Sequence, residues 1–401
     1  MNILLTECYS ASNIGDLELV SRSLQIASEI YAGSTIECIA SDPDSFAPII
    51  AQVPFSRPIF DRLKMIKGNR ITKALGAMHA GLTVGAFSVA SLLPTSMARG
   101  LVRVFLGLGL GSSTAAKYLQ ADRIVAVGGG YLGDKYVKMT ALTVWTWWWA
   151  SRMGCKVETM PMSVEVNTPF LQSILRTFGK NIVWRVRDQA SHSVMQQCQI
   201  NCELVPDLAF LNAERLNQQL SSRSGLLVAL VGGDYLNSDD QAKLYSNLAE
   251  SIAEVFPTLK VTLLSMHRSM GGTHVGGDVE ASQKMAQLLT SKGIENCLVN
   301  ASIYSEVCDH CQQVEYVISA RMHAGIAALC AGAKVGLLAY EEKHTALMSD
   351  LGIKAFAVDI RSDKTVLHTL VEGLKQSQAK IFEARTKQYY EKLMAWISNQ
   401  K

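Results

Sequence analysis

Short apolar strand patterns alternate with helical patterns along most of this 401-residue chain, and this alternation constrains the fold more than any other feature. Strands separated by helices are typical of parallel βαβ units. The predicted strands cover residues 2–6, 35–40, 123–127, 156–160, 181–186, 225–231, 260–265, 298–300, 315–319, 334–339 and 355–358. The predicted helices in the first half cover residues 16–31, 136–152, 169–178 and 189–197. The pattern predicts a mixed α/β protein built on parallel sheets.

The strand and helix patterns form two series, which indicates two domains in a chain of this length. A polar stretch over 212–224, rich in Asn, Gln and Ser, separates the two series and is interpreted as a linker. We expect an N-terminal domain over 1–211 with a helical insertion at 58–120, a C-terminal domain over 225–374 and a last helical segment over 375–401. Two doubly wound, Rossmann-like domains of this kind would face a cleft at the carboxyl ends of their strands, where such sheets bind ligands.

The composition favours a well-buried globular protein, because 48% of the residues are hydrophobic and 18% are charged. The net charge of +3 is too small to suggest a nucleic-acid partner. Nine cysteines without a repeated spacing fit the reduced thiols of a cytoplasmic protein. The first eight residues read as a strand rather than a signal peptide. We therefore expect a cytoplasmic protein, and leave open peripheral contact with the inner face of the membrane.

The most apolar stretches are residues 76–93 and 139–150. Both are interrupted by polar residues and are shorter than a clean membrane span, so both are predicted to be buried helices. A tryptophan cluster in the second stretch is interpreted as inward-facing aromatic packing, with membrane contact as the alternative. Its members are Trp145, Trp147, Trp148 and Trp149.

The strongest functional signal lies in residues 317–329, where a β-branched run leads through small residues into an apolar helix. Arg321 and His323 lie at this junction, where the free N–H groups of a helix start favour an anion. Arginine adds a planar fork suited to carboxylate or phosphate, and histidine exchanges protons near neutral pH. The pattern predicts an anion clamp beside a proton donor. The alternative is a capped core helix whose first turn happens to carry these two residues.

Other predicted strand ends carry further candidates. Gly15 follows the first strand and permits close approach of a ligand, while Asp16 either caps the next helix or orients a sugar hydroxyl. The glycine turn at 128–130 lacks a dinucleotide or P-loop spacing, so it indicates close approach of the backbone to a ligand or to other backbone. Asp188 either caps a helix or pairs with Arg187.

Lys343 follows the predicted strand over 334–339. It either faces the same cleft as His323 or is a solvated helix residue.

Taken in order, these motifs resemble those of the polysaccharide pyruvyl transferase family. The resemblance rests on Asn13-Ile14-Gly15-Asp16, Gly128-Gly129-Gly130, Arg187-Asp188 with Ser191, Pro206-Asp207, Ser319-Ala320-Arg321-Met322-His323-Ala324, and Lys343 before Leu351-Gly352. The motif around Arg321 is the most specific. The chain departs from the family pattern at 160–165, where a Pro-Gln-Ser-x-Gly-Pro-like turn is usual, and at Lys334, which replaces a proline.

The resemblance implies a GT-B-like fold, phosphoenolpyruvate as the donor in the interdomain cleft, and a glycan acceptor that is free or lipid-linked. It implies that Arg321 and His323 hold the donor, that His323 is the general acid, and that Lys343 and Arg187 add positive charge. Asp16 is the hypothesised base or orienting group on the acceptor side. The other candidates for substrate binding are Asn13, Gly15, Gly129, Gly130 and Met322.

Two alternatives stay open: a nucleotide-sugar-dependent glycosyltransferase of the same fold, and a non-catalytic protein that binds carbohydrate or anions. The first would use Glu341 and Glu342 to recognise a ribose. No metal or cofactor is predicted. Cys308/Cys311 and Cys198/Cys202 are each closely spaced, but one pair is far from the other in sequence, and a structural zinc needs four converging ligands. The histidines without a partner pattern receive no role: His79, His192, His267, His274 and His368.

Overall fold

The computed structural model describes residues 1–60, 70–217, 223–232, 235–267 and 277–400. Contacts divide the chain into two compact units, and each contains parallel β-sheet flanked by helices. The first unit comprises Met1–Ser10 and Leu19–Val205, and the second comprises Ala11–Glu18 and Pro206–Gln400. The prediction of a parallel α/β fold is therefore confirmed. The division differs from the predicted boundary, because residues 11–18 and 206–211 group with the second unit.

The strands of the first unit follow a Rossmann order. They are β1 (Asn2–Cys8), β2 (Thr35–Ala40), β3 (Phe55–Ser56), β4 (Arg123–Ala126), β5 (Gly129–Gly133), β6 (Lys156–Thr159), β7 (Met162–Glu165), β8 (Trp184–Val186) and β9 (Cys202–Leu204). They pair in the orders β3-β2-β1-β4-β6 and β5-β7-β8-β9, and every pair is parallel. Since β4 leads directly into β5 and β6 into β7, the two sheets together continue one doubly wound strand order.

Gly128 lies at the break between β4 and β5, beside the break between β6 and β7. A Cβ at this position would lie 2.4 Å from the carbonyl oxygen of Pro161. Gly129 adds a φ of +148°, which glycine adopts far more readily than other residues. At Gly128 the glycine is therefore required by the approach of backbone to backbone, one of the two alternatives for this turn.

The described residues in the first half of the chain contain eight α-helices. They are α1 (Ile14–Ile30), α2 (Pro43–Phe46), α3 (Arg70–Ala90), α4 (Thr95–Gly107), α5 (Ser113–Gln120), α6 (Val137–Arg152), α7 (Pro169–Phe178) and α8 (Gln189–Gln197). The first five residues of α1 group with the second unit. Helices α3 to α5 lie within the stretch predicted as a helical insertion, of which residues 61–69 lie outside the described part.

The tryptophan cluster of α6 packs inward, as predicted. Trp147 and Trp149 are fully buried. Trp149 stacks on Phe87 with ring centroids 5.0 Å apart, and Trp147 meets Trp184 edge-on at 5.6 Å. Aromatic contacts of this kind add to the free energy gained by burial alone. The prediction of a buried helix over 139–150 is confirmed.

The prediction of a buried helix over 76–93 was wrong for one face of α3. Ala80 and Phe87 face the core, whereas Leu75, Met78 and Leu82 are each more than half exposed. The helix is apolar on both sides, but its neighbours cover one side. Hydrophobicity alone does not reveal whether a second element covers a helix.

The second unit contains one six-stranded parallel sheet in the order β12-β11-β10-β13-β14-β15. Its strands are β10 (Leu226–Ala229), β11 (Val261–Ser265), β12 (Asn296–Asn300), β13 (Tyr316–Ser319), β14 (Lys334–Ala339) and β15 (Ala357–Asp359). Numbered within the unit, this is the Rossmann order 3-2-1-4-5-6. The central strands β10, β13 and β14 are buried along their whole length, as expected where helices cover both faces.

The helices of the second unit flank this sheet. They are α9 (Ser238–Val255), α10 (Gly277–Ser291), α11 (Tyr304–Gln313), α12 (Met322–Cys330), α13 (Glu342–Asp350), α14 (Lys364–Gln376) and α15 (Ala379–Gln400). Turns of 3₁₀ helix cover Leu208–Asn217 and Lys354–Phe356. Among the helices that the structure describes, none is long and apolar enough to cross a bilayer.

Two boundary predictions in this unit need correction. Asn212, predicted to begin a polar linker, is buried, and its amide donates to Glu18 Oε1 at 2.8 Å and to the carbonyl of Ala209 at 3.0 Å. Residues 218–222 of that stretch lie outside the described part. The last helix does not begin at Lys375, which still belongs to α14. Ser377 is extended and interrupts the helical hydrogen bonding before α15 begins.

Candidate active site

The predicted strand-to-helix junction around Arg321 is present, and Ser319 shapes its turn. The hydroxyl of Ser319 accepts from the N–H of Arg321 at 3.0 Å and donates to the carbonyl of Arg321 at 2.8 Å. Arg321 therefore stays extended, and α12 begins at Met322. Met322 itself is buried, so its side chain serves the core.

Arg321 forms a bidentate ion pair with Asp278 near the start of α10. Its Nε donates to Asp278 Oδ2 at 2.9 Å and its Nη2 to Oδ1 at 2.5 Å. Burial opposes the charge on the guanidinium, but the carboxylate outweighs it, so the pKa of Arg321 is raised. The fork that the sequence assigned to a bound anion is thus already occupied by a protein carboxylate. Among the described residues nothing accepts from Nη1, so this edge can still meet a ligand.

An aromatic row borders this ion pair. The guanidinium carbon of Arg321 lies 5.8 Å from the ring centroid of Tyr235. Tyr235 contacts Tyr340 at 4.6 Å, and Tyr340 contacts His344 at 4.5 Å, between ring centroids. The ring contacts are tilted, and the nearest ring, that of Tyr235, can interact favourably with the charge of the guanidinium.

His344 connects the turn that follows β13, at Ala320, with the turn that follows β14, at Glu341. Its ring nitrogens lie 3.1 Å from the carbonyl oxygens of Ala320 and Glu341. Burial, and next the charge of Lys343, lower the pKa of His344 to about 3. His344 is therefore a neutral structural histidine at physiological pH, a role that no sequence pattern indicated.

His323 lies beside a buried carboxylate. Its Nε2 is 3.8 Å from Oδ2 of Asp207, and within the described residues this buried nitrogen has no hydrogen-bond partner. Asp207 is held by the N–H of Ala209, which donates to its Oδ1 at 2.9 Å. The hydroxyl of Tyr304 donates to the carbonyl of His323 at 2.8 Å and anchors the first turn of α12.

The start of α1 packs directly against His323. Gly15 lies so close that a Cβ there would be 2.3 Å from His323 Nδ1. Asn13 rather than Asp16 caps the helix, since its Oδ1 accepts from the N–H of Gly15 at 3.0 Å. The helix begins at Ile14, so Asp16 lies in its first turn, and the interpretation of Asp16 as the N-cap was wrong.

His267 joins the same group of residues, although no sequence pattern assigned it a role. It forms an antiparallel bridge with Asn13. The pKa of His267 is lowered, mainly by burial and further by the charge of Arg321. The negative charges of Asp278 and Asp16 act in the opposite direction. His267, Asp16 and the Arg321–Asp278 pair therefore lie close enough to interact electrostatically. His274, also given no role, lies outside the described residues.

Lys343 lies in the first turn of α13, which begins at Glu342, and it pairs with Glu341. Its ammonium forms an ion pair with the Glu341 carboxylate and lies 6.0 Å from the ring centroid of Tyr340. Part of its charge is thus balanced locally. Glu341, one of the two carboxylates considered for ribose recognition, is therefore already engaged by Lys343.

The candidates of the first unit have structural partners of their own. Arg187 is buried, and its Nε donates to the hydroxyl of Ser163 at 2.8 Å. Asp188 caps α8, as one alternative predicted, by accepting from the N–H of Ser191 at 2.7 Å. Ser163 also donates to Asp188 Oδ2 at 2.6 Å, so this motif joins β7 to the end of β8.

The ten candidate residues divide between the two units. Asn13, Gly15, Asp16, Arg321, Met322, His323 and Lys343 belong to the second unit. Gly129, Gly130 and Arg187 belong to the first unit. In the part of the chain that the structure describes, no group of three or more His, Cys, Asp or Glu residues could hold a metal ion.

The sequence missed three partners at this site: Asp278, Asp207 and His267. Asp278 had a weak signal, because it follows two glycines at the start of a helical pattern. Asp207 was part of a quoted motif but had no predicted partner. His267 had no signal, since nothing in its neighbourhood along the chain points to Asn13.

Comparisons with known proteins agree with these motifs. A family model for polysaccharide pyruvyl transferases matches residues 13–342, which is most of the chain. No curated protein sequence matches the chain.

Several solved structures share the fold. A glycosyltransferase from Rickettsia africae ESF-5 has a TM-score of 0.56 and 9% identity, covering 99% of this chain and 96% of that one. A UDP-GlcNAc 2-epimerase from Methanocaldococcus jannaschii, in complex with UDP-GlcNAc and UDP, has a TM-score of 0.52 and 11% identity, covering 94% of both chains. Anabaena HepE, in complex with UDP and glucose, has a TM-score of 0.51 and 14% identity, covering 100% and 98%. At these identities the likeness concerns the fold, and the predicted GT-B-like class with two Rossmann-like units is confirmed.

Proposed function

We propose that this chain, which belongs to the polysaccharide pyruvyl transferase family, moves pyruvate from phosphoenolpyruvate onto two hydroxyls of a sugar as a cyclic ketal. Family membership supports the reaction class. The observation that carries the chemistry is the buried Nε2 of His323, which lies 3.8 Å from Asp207 Oδ2 and has no hydrogen-bond partner among the described residues. A histidine in this position can hold a proton and deliver it to a ligand.

His323 acts first, as a general acid. Its proton goes to the methylene carbon of phosphoenolpyruvate, which becomes a methyl group, and the neighbouring carbon becomes electrophilic. A sugar hydroxyl adds to that carbon and gives up its proton, which returns to the imidazole. Phosphate then leaves with the electron pair of its C–O bond. A second hydroxyl closes the ring, and its proton leaves with the phosphate.

Asp207 supports this cycle by stabilising the protonated imidazole. It is buried, so its negative charge acts through a medium of lower polarity than water. A positioned acid contributes on the order of a hundredfold to ten-thousandfold in rate. Asp207 is therefore a positioning residue that acts through His323.

The donor's two anionic groups call for positive charge around His323. Arg321 Nη1, from which no described residue accepts, and the N–H groups at the start of α12 suit a carboxylate or a phosphate. Lys343 adds charge when a ligand competes with Glu341 for its ammonium. Arg187, which belongs to the first unit, is proposed as a substrate-binding residue.

Asp16 is proposed as the group that orients the acceptor hydroxyl, whose proton the imidazole takes. It lies in the first turn of α1, one residue after the glycine that contacts His323. Asn13 and Gly15 serve the same region by capping α1 and by making room for the imidazole. Gly129 and Gly130 are proposed to approach the substrate through their backbone, and Gly130 is exposed.

Calorimetric titration with phosphoenolpyruvate and with UDP tests the donor class. We expect the full chain to bind phosphoenolpyruvate and to give no heat with UDP. If the chain binds UDP but does not bind phosphoenolpyruvate, the result would favour the nucleotide-sugar glycosyltransferase and contradict the proposal. A matched control is His310→Asn, which alters a partly exposed histidine on α11 and should bind as the wild type does.

Mass spectrometry of glycans from cells with and without the gene tests the product. We expect an acid-labile pyruvate ketal that disappears with the gene. Binding of phosphoenolpyruvate with no ketal and no phosphate release in the presence of acceptor glycans would favour a non-catalytic anion-binding protein.

A further inference from the structure

Helices α3 and α4 and the residues that follow each of them expose a set of large apolar side chains. We call this set the apolar face, and every member is more than half exposed. Its members are Leu75, Met78, Leu82, Val89, Leu92, Met97, Val104 and Leu108. Surface helices of globular proteins normally present polar residues to water, so an apolar surface of this size indicates a binding partner.

The spacing along α3 shows that the exposure follows one helix face. Leu75, Met78, Leu82 and Val89 recur at intervals of three, four and seven residues, which keeps them in one stripe. The opposite stripe, which includes Ala80 and Phe87, is buried in the core of the first unit. Both sides of α3 are thus apolar, and one of them is already covered.

Helix α4 repeats this arrangement. Ala98 and Val102 are buried, while Met97 and Val104 point away from the core. The two helices contact each other, so their exposed side chains belong to one region of the first unit. The result is a surface rather than a set of isolated apolar residues.

The Lys, Arg, Asp and Glu positions in this part of the chain are all basic. Residues 62–121 contain eight lysines and arginines and no aspartate or glutamate, although the whole chain has 35 acidic residues. Arg70 at the start of α3 and Arg103 beside Val104 are exposed. Arg99 and Lys117 are engaged within the unit, with the carbonyl of Leu119 and with Glu37.

We infer that the apolar face docks on a membrane surface that carries anionic phospholipid. Apolar side chains on an interfacial helix enter the boundary between headgroups and acyl chains, and nearby lysines and arginines are attracted to anionic headgroups. The combination of exposed leucine, methionine and valine with exclusively basic charge matches both requirements. This inference is independent of the reaction proposed for the second unit.

A second copy of the chain fits this surface less well. In a two-fold dimer the same patch faces itself, so the basic residues of both copies would come together. The segment offers no acidic residue to pair with them. Anionic lipid supplies the missing opposite charge.

Co-sedimentation of the full chain with vesicles tests the inference. We expect binding to vesicles of phosphatidylglycerol and phosphatidylcholine in equal parts, and much weaker binding to phosphatidylcholine alone. High salt should weaken the binding, because it screens the headgroup charge. The triple variant Met78→Glu/Leu82→Glu/Val104→Glu should lower the partition coefficient by at least about tenfold.

A matched control places the same charge on apolar residues of similar exposure elsewhere. Phe170→Glu/Val183→Glu/Ile381→Glu should bind vesicles as the wild type does. Circular dichroism checks that each variant is folded, and Arg70→Gln/Arg103→Gln reports the contribution of charge without altering the apolar side chains.

Three results would overturn the inference. One is the absence of vesicle binding by the wild type, and another is equal loss of binding in the triple variant and in the control. The third is a lipid-free dimer, seen by sedimentation velocity, that the triple variant dissociates while vesicles bind neither protein. That result would assign the apolar face to a second copy.

Discussion

Gly15 leaves the space that the imidazole of His323 fills. A Cβ on Gly15 would lie 2.3 Å from His323 Nδ1 and 2.7 Å from its Cγ, far inside van der Waals contact. The two motifs that contain these residues, near opposite ends of the chain, therefore meet at one point of the second unit. The start of α1 sets the position of the residue proposed as the proton donor.

Gly15→Ala should displace His323 and impair transfer. A displacement of about 1 Å in a reacting group can cost about a hundredfold in rate, so we expect kcat to fall by about tenfold to a hundredfold. Measurement of kcat and KM for phosphoenolpyruvate checks this. Gly373→Ala in α14 is the control, because its Cβ would meet only an ordinary contact, at 3.8 Å from Phe356. Full activity of Gly15→Ala would show that the imidazole does not need its observed position.

Asp278→Asn should destabilise the second unit. Asp278 is buried, and its removal would leave the largely buried guanidinium of Arg321 without its counter-charge. Loss of one partner of a buried pair costs about 3–5 kcal/mol. Urea unfolding measures the change in the free energy of unfolding. Asp309→Asn, which breaks the exposed ion pair with Arg215, should cost less than about 1 kcal/mol. Equal effects of the two variants would contradict this account of the Arg321–Asp278 pair.

Asp207→Asn should lower kcat more than it changes KM for phosphoenolpyruvate. Removal of the carboxylate takes away the negative charge that lies 3.8 Å from His323 Nε2 and positions the imidazole for proton transfer. We expect a loss of about tenfold to a hundredfold in kcat with little change in KM. A merely structural role would change kcat and KM together. Asp309→Asn should leave both constants unchanged.

His344 should make the protein less stable in mild acid. Its folded pKa is lowered to about 3, first by burial and then by Lys343. The unfolded chain takes up this proton near the ordinary value of about 6.5, so stability is fully present above that pH and falls as the pH drops from there toward 3. One such group costs about 2 kcal/mol between pH 7 and pH 5. Urea unfolding at both values should show a loss that is about 2 kcal/mol smaller in His344→Gln than in the wild type. Parallel losses in the two proteins would contradict the prediction.

Several elements could be read from local sequence because their ends carry local signals. Thr35–Ala40, Pro169–Phe178, Gln189–Gln197 and Lys334–Ala339 have the predicted bounds. Pro169 occupies the first position of α7, where the missing N–H costs nothing, and Asp188 caps α8. Such signals act over a few residues. The same is true of the junction at Arg321 and His323, whose place between a strand and a helix was predicted.

The rest of the site depends on contacts between distant segments. Asp278, Asp207 and His267 reach Arg321, His323 and Asn13 through the strand order and the turns at strand ends, which a single sequence does not specify. The exposed face of α3 escaped prediction for a related reason. Its hydrophobicity is evident from the sequence, but whether another element covers it depends on tertiary packing.

The role of His323 as the proton donor is tested by the release of inorganic phosphate from phosphoenolpyruvate in the presence of an acceptor glycan, compared between the wild type, His323→Asn and His310→Asn. We expect acceptor-dependent phosphate release, matched by gain of pyruvate on the glycan, in the wild type and in His310→Asn. His323→Asn should bind phosphoenolpyruvate but release phosphate at least about a hundredfold more slowly. A folded His323→Asn variant that releases phosphate and pyruvylates the glycan at the wild-type rate would contradict the account.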